Sequence, residues 1–387
     1  MNKHIVTTYL SIWILFLLSA TPLWAQGDYA GPVRYVKTDG AYANNGQSWA
    51  TAKNNVQDAI NDLYDYMQKN NQAEGRVYVA AGTYTPTEST ESDKDGIAYT
   101  AFKIYEGITL YGGFSATAPE ASPEDRAKIN DEYGWKMTNE TVLDGNHTTN
   151  VTENLTWNDS KQQFDTKYPG NSYHVVWFAT KGFSGGRANA LARPAGLDGF
   201  TIRGGYASNR TTGERLHNSF GAGAYMVQGS FLRNSIVTGN TSTRQGGGIY
   251  MDGGGEVDHC YIRYNQCLGV GIVEGFGGGI AVDGAGVVRH TVMAENVARI
   301  GGGLALLADE ADAVNRYAPT AAGNIVANNT TTTEAAGVYM RYGGVLNHMT
   351  IVNNRCNGRN IVYDGHRYGR SAGIYVDQYG QIFNSVC

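Results

Sequence analysis

The chain has no excess of positive charge and no long apolar segment after its first 18 residues. Its 30 Lys and Arg are outnumbered by 35 Asp and Glu, for a formal net charge of −5. Because a nucleic-acid-binding surface needs a basic face, we expect no nucleic acid partner. A membrane-spanning helix needs about 20 consecutive apolar residues, so we also expect no transmembrane segment.

Proline is rare, at 8 residues, whereas the 51 glycines recur at regular positions. A glycine motif such as GGGIYM occurs six times, and an asparagine follows each of the first five copies. The motifs start at Gly221, Gly246, Gly277, Gly301, Ala335 and Ser371, and the asparagines are Asn240, Asn265, Asn296, Asn329 and Asn354. The distance from motif to asparagine is 19 residues in four copies and 28 in the fourth. Such regular spacing indicates a structural repeat.

The repeats also lack an apolar face at helical spacing, which excludes ankyrin, tetratricopeptide and HEAT arrays. Apolar residues instead alternate with other residues, as in a β-strand. One such position predicts an interior column: Ile249, Ile280, Leu304, Val338 and Ile374. Several short strands in about 25 residues make one coil of a solenoid. The pattern predicts an all-β fold, the right-handed parallel β-helix, with its hand given by the crossover rule.

Glycine and asparagine are expected at the corners of each coil. Glycine permits a positive φ or a close approach of two backbones. We expect the recurrent asparagine to adopt the left-handed conformation itself, because asparagine tolerates it. Its side-chain amide is expected to bond the equivalent asparagine one coil away.

These motifs resemble the repeats of a known class of surface protein. GGG-I followed by I-x-x-N is similar to pectin-lyase-like β-helix surface proteins, and among them to the polymorphic outer-membrane protein group. Gly196–Ala207 (GLDGFTIRGGYA) and Tyr35–Tyr84 resemble segments of secreted β-helix proteins of Bacteroidetes-like bacteria. The resemblance implies a β-helix and export from the cell. It leaves the activity open, since the class contains adhesins, enzymes and proteins of unknown role.

The N-terminal part of the chain differs from the repeats. Residues 1–25 have the pattern of a secretory signal peptide, with a short apolar run over Tyr9–Leu18. Apolar residues at helical spacing predict an amphipathic helix over Ser48–Asn70, which we expect to cap the open end of the solenoid. We therefore divide the chain into a signal peptide (1–25), an N-terminal cap (26–75) and a β-helix (76–387) with repeats from about residue 196.

The sixth repeat begins at Ser371, so its asparagine would come three residues after Cys387. We therefore expect the natural protein to continue with further coils and a cap, because an uncovered last coil would expose core and strand edge.

The four cysteines are expected to be unpaired. Cys260 and Cys387 fall at interior positions of the coil. Cys267 and Cys356 are three coils apart, about 14 Å, which is beyond the reach of a disulfide.

Three histidines share one outward polar position, at His259, His290 and His348. The first two are neighbours on adjacent coils, so an ion held between them is conceivable. We nevertheless expect solvent-facing side chains, with no metal and no other cofactor.

The candidate ligand-binding residues lie on the strand that follows each glycine motif: Tyr225, Tyr250, Tyr339, Arg341 and Tyr375. We expect this column to be exposed, with tyrosines on either side of Ala281 and Ala305 forming a trough for sugar rings. On the same face Asp252 and Asp283 would be neighbours about 5 Å apart, the separation found in retaining glycosidases.

These observations favour a secreted or cell-surface protein that mediates adhesion or binds carbohydrate without catalysis. Its partners would be glycans or host cell-surface molecules, and its location extracellular or on the outer-membrane surface. The alternative is a polysaccharide lyase or glycoside hydrolase acting at Asp252 and Asp283. The chain has no sequence like the Asp clusters of polygalacturonases or the calcium-binding acids and partner arginine of pectate lyases, so we expect no catalytic centre.

Overall fold

The short alternating segments pair in parallel, each with the equivalent segment one coil away. The computed structural model describes residues 29–90, 96–129, 135–147, 156–158, 160, 163–165, 170–181, 190–208, 216–269, 274–308, 318–357, 362–363, 366–367 and 371–387. Apart from 29–31, these residues belong to the compact unit Pro32–Cys387. The predicted signal peptide, residues 1–25, lies outside the described residues.

Four sheets run along the length of the solenoid, with ten, nine, eight and six strands. The first consists of Val33–Val36, Gly75–Ala80, Ile108–Phe114, Ala195–Asp198, Ser230–Arg233, Glu256–Asp258, Val287–Arg289, Thr320–Ala322, Val345–Asn347 and Gln381–Phe383. The second consists of Glu88–Ser89, Thr100–Tyr105, Val176–Ala179, Ala224–Val227, Ile249–Gly253, Ile280–Gly284, Leu304–Leu307, Val338–Arg341 and Ile374–Val376. The third consists of Gly82–Tyr84, Thr141–Asp144, Thr201–Arg203, Ile236–Thr238, Tyr261–Arg263, Val292–Ala294, Ile325–Ala327 and Thr350–Val352. The fourth consists of Tyr206–Ala207, Thr241–Ser242, Gln266–Cys267, Val297–Ile300, Thr330–Glu334 and Arg355–Cys356.

Each of the first five coils of the repeat contributes one strand to each sheet in a fixed order, and the described part of the sixth contributes strands to the second and first sheets. The coil that begins at Gly221 passes through Ala224–Val227, Ser230–Arg233, Ile236–Thr238 and Thr241–Ser242 before the next motif. Within the four sheets all pairings are parallel except that of Glu88–Ser89, which is antiparallel. Two antiparallel strand pairs lie outside these four sheets, formed by Thr156–Asn158 with Gln163–Asp165 and by Val362–Tyr363 with His366–Arg367. The chain is therefore an all-β, right-handed parallel β-helix.

The interior of the solenoid is one continuous apolar core. The predicted column pairs in register from coil to coil: Ile249, Ile280, Leu304, Val338 and Ile374. The first four are completely buried, and Ile374 packs against the same core. The prediction of a stacked interior column is thus confirmed.

An α-helix covers the N-terminal end of this core. It spans Val56–Lys69, and the segment before it forms a short 3-10 helix at Trp49–Thr51, so the predicted range Ser48–Asn70 was too long at its start. Val33–Val36 already pairs with Gly75–Ala80 in the first sheet, so strand pairing begins before residue 76. Further 3-10 turns lie at Ile97–Tyr99, Pro123–Asp125 and Leu216–Ser219.

A polar residue caps the start of the helix, and its apolar face packs against the core. The Asn55 side chain accepts hydrogen bonds from the backbone N–H groups of Gln57 and Asp58, which satisfies the helix start. The buried Gln57 side chain accepts from Lys103 N at 2.8 Å and donates to Lys103 O at 3.3 Å. The helix therefore satisfies an otherwise open strand edge. No helix among the described residues is both long enough and apolar enough to cross a membrane.

The recurrent asparagines form a ladder inside the solenoid, which we call the asparagine column. Each backbone N–H donates to the side-chain oxygen of the asparagine one coil on, at 2.9–3.1 Å, from Asn240 to Asn265, Asn296, Asn329 and Asn354 in turn. The side-chain NH₂ groups donate back to interior backbone carbonyls, such as Asn296 Nδ2 to Ile262 O at 2.9 Å. The expected coil-to-coil bond is confirmed.

The left-handed corner residue is not the asparagine itself, contrary to our expectation. The residue before it has φ between 53° and 66°, at Gly239, Tyr264, Glu295, Asn328 and Asn353. This bend turns the following asparagine inward, where its amide reaches the next coil. The asparagine therefore contributes hydrogen bonds rather than a left-handed backbone conformation.

Glycine in the motif permits close stacking of the coils. A Cβ on Gly279 would lie 2.6 Å from the carbonyl oxygen of Gly303 on the next coil, which is closer than side-chain carbons approach oxygen. At this motif position an ordinary side chain would force adjacent coils apart.

Candidate functional site

The predicted ligand-binding tyrosines stack as expected but do not form an exposed face. The column runs in register through Tyr225, Tyr250, Ala281, Ala305, Tyr339 and Tyr375. Tyr225 is 1% exposed, Tyr250 2% and Tyr339 7%. The prediction of an exposed tyrosine trough is therefore wrong for these three residues.

Aromatic rings from neighbouring segments cover this column. Trp177 pairs in register with Tyr225 and so extends the column by one coil, and its ring stacks on Tyr225 with centroids 4.6 Å apart and an interplanar angle of 9°. Phe220, in the segment that enters a glycine motif, stacks on Tyr250 at 4.9 Å. Phe276 occupies the equivalent place two coils on and covers the column there. The strand pattern predicted which side of the pleat the tyrosines occupy, but not that another segment covers that side.

Arg341 and Tyr375 are the two predicted binding residues that are partly exposed. The Tyr375 ring stacks on Tyr339, with centroids 5.7 Å apart. The Arg341 guanidinium lies 5.5 Å from the ring centroid of Phe276. Ligand binding by Arg341 and Tyr375 stays a prediction.

Asp252 and Asp283 pair in register on adjacent coils. Each carboxylate accepts a hydrogen bond from the tyrosine of the preceding coil: Tyr225 Oη donates to Asp252 at 2.5 Å, and Tyr250 Oη donates to Asp283 at 2.8 Å. Asp252 is also buried. Because hydrogen bonds to a charged group are strong, these carboxylates fix the tyrosine column. The geometry favours a structural role over the acid–base pair of a glycosidase.

A different group of rings lies on the outer face of the first sheet, and we call it the aromatic patch. Tyr35, Tyr78 and Tyr111 occupy one column, with centroids of consecutive rings 5.5 and 5.9 Å apart. Trp49 packs on Tyr35 at 4.9 Å, and Phe114 stacks on Tyr78 at 4.9 Å. Tyr35, Trp49 and Tyr111 are partly exposed. The three tyrosines are 43 and 33 residues apart in the sequence, so a search for one fixed period misses them.

Two arginines border the aromatic patch. The Arg76 and Arg126 guanidinium carbons lie 5.4 and 5.2 Å from the ring centroid of Tyr111. Arg126 is buried, pairs with Asp198 at 2.9 Å and donates to the Gly112 carbonyl at 2.6 Å. Arg126 therefore fixes the sheet under the patch, whereas Arg76 is partly exposed beside it.

Charged side chains continue this outer face along the solenoid. The tyrosine column of the aromatic patch is followed on successive coils by Asp198, Arg233, Asp258 and Arg289. Glu256 lies between the two arginines, 2.8 Å from Arg233 Nη2 and 2.9 Å from Arg289 Nη2. The outer face thus has an aromatic end and a stretch of alternating charge.

The three histidines are exposed, as their outward position predicted. His259, His290 and His348 have φ of 50°, 45° and 51°, a left-handed conformation that histidine adopts more readily than most residues. The Nδ1 atoms of His259 and His290 lie 2.7 and 2.9 Å from Asp258 Oδ1. Within the described ranges, Asp258, His259 and His290 form the one group of His, Cys, Asp or Glu side chains close enough to hold a metal ion.

Other reactive side chains are placed as structural groups. Burial raises the pKa of the Cys267 thiol to about 12, and it raises the pKa of Cys260 as well. Ser172 Oγ lies 2.9 Å from His147 Nε2, but Thr100 Oγ1 lies 3.1 Å from the same nitrogen and Ser172 is fully buried. These thiols and hydroxyls therefore lack the exposed, activated state of a nucleophile.

No protein-family model matches this sequence, and no curated protein matches it. Among solved structures, the chain is similar to the crystal structure of Escherichia coli YbhC, with a TM-score of 0.43 and 12% sequence identity. The similarity covers 92% of this chain and 85% of that one.

Proposed function

We propose that the protein is an exported β-helix that binds carbohydrate, without catalysis, on the outer face of its first sheet. The observation that supports this proposal is the aromatic patch, whose rings Tyr35, Trp49 and Tyr111 are partly open to solvent. Aromatic rings have a large apolar face with which the C–H groups of a sugar ring can pack.

One arginine beside the patch favours an acidic glycan. Arg76 lies beside the patch, where it hydrogen-bonds Tyr78, and its guanidinium is of a kind well suited to bind a carboxylate or sulfate. The ten strands of the first sheet extend about 43 Å at about 4.8 Å per strand, which suits an extended polymer better than a single sugar.

Export is supported by the signal-peptide pattern of residues 1–25. The likeness of the glycine and asparagine motifs to the repeats of β-helix surface proteins also supports export, while adhesion is proposed as one use of the carbohydrate-binding face. A catalytic role at Asp252 and Asp283 is not favoured, because tyrosine hydroxyls occupy both carboxylates.

Binding to a panel of uronic-acid, sulfated and neutral glycans tests this proposal. We expect the purified chain to bind acidic glycans. We expect the double variant Tyr35→Ala/Tyr111→Ala to bind them about five- to 150-fold more weakly, since two ring contacts of about 0.5–1.5 kcal/mol each sum to about 1–3 kcal/mol. The control is Tyr42→Ala, which removes a tyrosine that is 72% exposed and outside the patch.

The melting temperature of each variant must be measured together with binding. Equal binding by the patch variant and the wild type would place the ligand elsewhere, with Arg341 and Tyr375 the next residues to change. Release of reducing or unsaturated sugars by the wild type, lost in Asp283→Asn, would overturn the non-catalytic proposal.

A further inference from the structure

The corner after two consecutive strands of the first sheet brings two histidines and one aspartate together. Asp258 pairs in register with Arg289, so the residues that follow them, His259 and His290, are direct neighbours on adjacent coils. Their ring centroids are 4.7 Å apart, with an interplanar angle of 38°.

One carboxylate oxygen faces both imidazole rings. Asp258 Oδ1 is 2.7 Å from His259 Nδ1 and 2.9 Å from His290 Nδ1. Zinc bonds such atoms at about 2.0–2.2 Å in a tetrahedral site, which places neighbouring ligand atoms about 3.4 Å apart. The Asp258 oxygen therefore needs to move only about 0.5–0.7 Å away from each histidine nitrogen, and the three ligand atoms already lie within 4.8 Å of one another.

The other carboxylate oxygen is held in place by the charged stretch of the outer face. Asp258 Oδ2 lies 3.1 Å from Arg289 Nε, and Arg289 is itself paired with Glu256. Partners of this kind orient a metal ligand and keep it ionised.

The backbone does not explain why histidine occupies both positions. The same left-handed corner is occupied by Asn234 with φ of 47° and by Asn384 with φ of 45°. Asparagine therefore satisfies this conformation, and only the pair beside Asp258 adds two imidazoles to a carboxylate. The side chains of His259 and His290 are 52% and 54% exposed, which leaves room for water and a path for an ion.

We propose that Asp258, His259 and His290 bind a divalent transition-metal ion such as Zn²⁺. Two imidazoles and one carboxylate suit Zn²⁺, Ni²⁺ or Cu²⁺ better than Ca²⁺ or Mg²⁺, which prefer all-oxygen sites. Water would complete the coordination, so the ion is expected to be exchangeable. The proposal does not depend on carbohydrate binding, and its test contains no glycan.

Calorimetric titration of the full chain with ZnCl₂ measures this binding. We expect one saturable equivalent for the wild type, and at least tenfold weaker binding for His259→Asn/His290→Asn, which keeps the corner conformation. The matched control is His348→Asn, an exposed histidine at the same corner position without a second histidine beside it. We expect the control to bind as the wild type does.

Two outcomes would overturn the proposal. One is the absence of saturable Zn²⁺ binding to the wild type, and the other is unchanged binding by the double variant, which would place the ion on other histidines. If the double variant does not fold, the single variant His290→Asn removes one ligand, and the visible absorbance of bound Co²⁺ should then fall or change in shape relative to the wild type. An unchanged Co²⁺ spectrum in that variant would also contradict the site.

Discussion

The asparagine column can be compared with the histidine corner, the outward position occupied by His259, His290 and His348. Both are polar, recur in several coils and lie at bends, but one faces the interior and the other the solvent. Asn265, Asn296 and Asn329 are completely buried and bonded to coils on both sides. His290 and His348 are exposed and adopt a left-handed φ themselves. The period in the sequence thus predicts a column but not the side of the coil on which it lies.

One rule relates the two bends. In each, the left-handed residue faces outward and the residue after it turns inward. Tyr264 precedes the buried Asn265, and His290 precedes the buried Thr291. Thr291 Oγ1 also accepts a backbone N–H from the neighbouring coil, that of Cys260 at 3.3 Å, as the asparagines do. The histidines therefore occupy the outward position of one bend, and the asparagines occupy the inward position of the other.

The largest effect is expected from breaking the asparagine column, with Asn296→Ala. Asn296 Oδ1 accepts bonds from the backbone and side chain of Asn265, and its Nδ2 donates to Ile262 O, so several buried groups would lose their partner. Each such loss costs about 1–3 kcal/mol, and we expect about 3–5 kcal/mol in total. Urea unfolding followed by circular dichroism measures this change. The exposed Thr350→Ala serves as control, and equal midpoints for both variants would contradict an inward, stabilising ladder.

A smaller effect is expected where glycine is needed for space rather than for φ. Alanine at Gly279 would place its Cβ 2.6 Å from Gly303 O, whereas a Cβ at Gly253 would meet nothing within 4 Å but has φ of +73°. We expect Gly279→Ala to lower stability by about 2–3 kcal/mol and Gly253→Ala by about 1 kcal/mol. The same unfolding experiment compares them. The opposite order would mean that the coils can separate locally at little cost.

The parts of the molecule that follow from a short period could be predicted from the sequence. The interior column through Ile280 and the pairing of Asp252 with Asp283 depend only on equivalent positions in successive coils, and both are found. Burial of Tyr250 could not be predicted in this way, because Phe220 reaches it from another part of the coil. The aromatic patch could not be predicted for a related reason: its residues lie on strands that a helix and irregular turns separate in the sequence.

The buried His174 should make the stability of the folded protein depend on pH. Burial lowers the pKa of His174 to about 3, although hydrogen bonds with Gly221 O and Asn218 partly oppose it. In the unfolded chain this pKa is about 6.5, so between these values the unfolded state binds more protons and the native state loses stability as the pH falls. The loss should approach about 1.4 kcal/mol per pH unit below pH 6.5 and vanish above it.

Unfolding at pH 7.0, 6.0 and 5.5 in the wild type and in His174→Gln measures this contribution. The variant should be less stable at pH 7.0 but should lose less stability on acidification than the wild type. Parallel pH profiles for the two proteins would show that His174 does not titrate with unfolding.

The smallest effect is expected at the outward corner, and it separates backbone conformation from side-chain chemistry. His348 has φ of 51°, and Asn384 occupies the equivalent position with φ of 45°. We therefore expect His348→Asn to change stability by less than about 0.5 kcal/mol, as for other exposed substitutions. His348→Val should lower it by about 1–2 kcal/mol, because a β-branched residue is strained in the left-handed region. If valine were tolerated as well as asparagine, the bend would not require a left-handed residue, and the rule that turns the next residue inward would lose its physical basis.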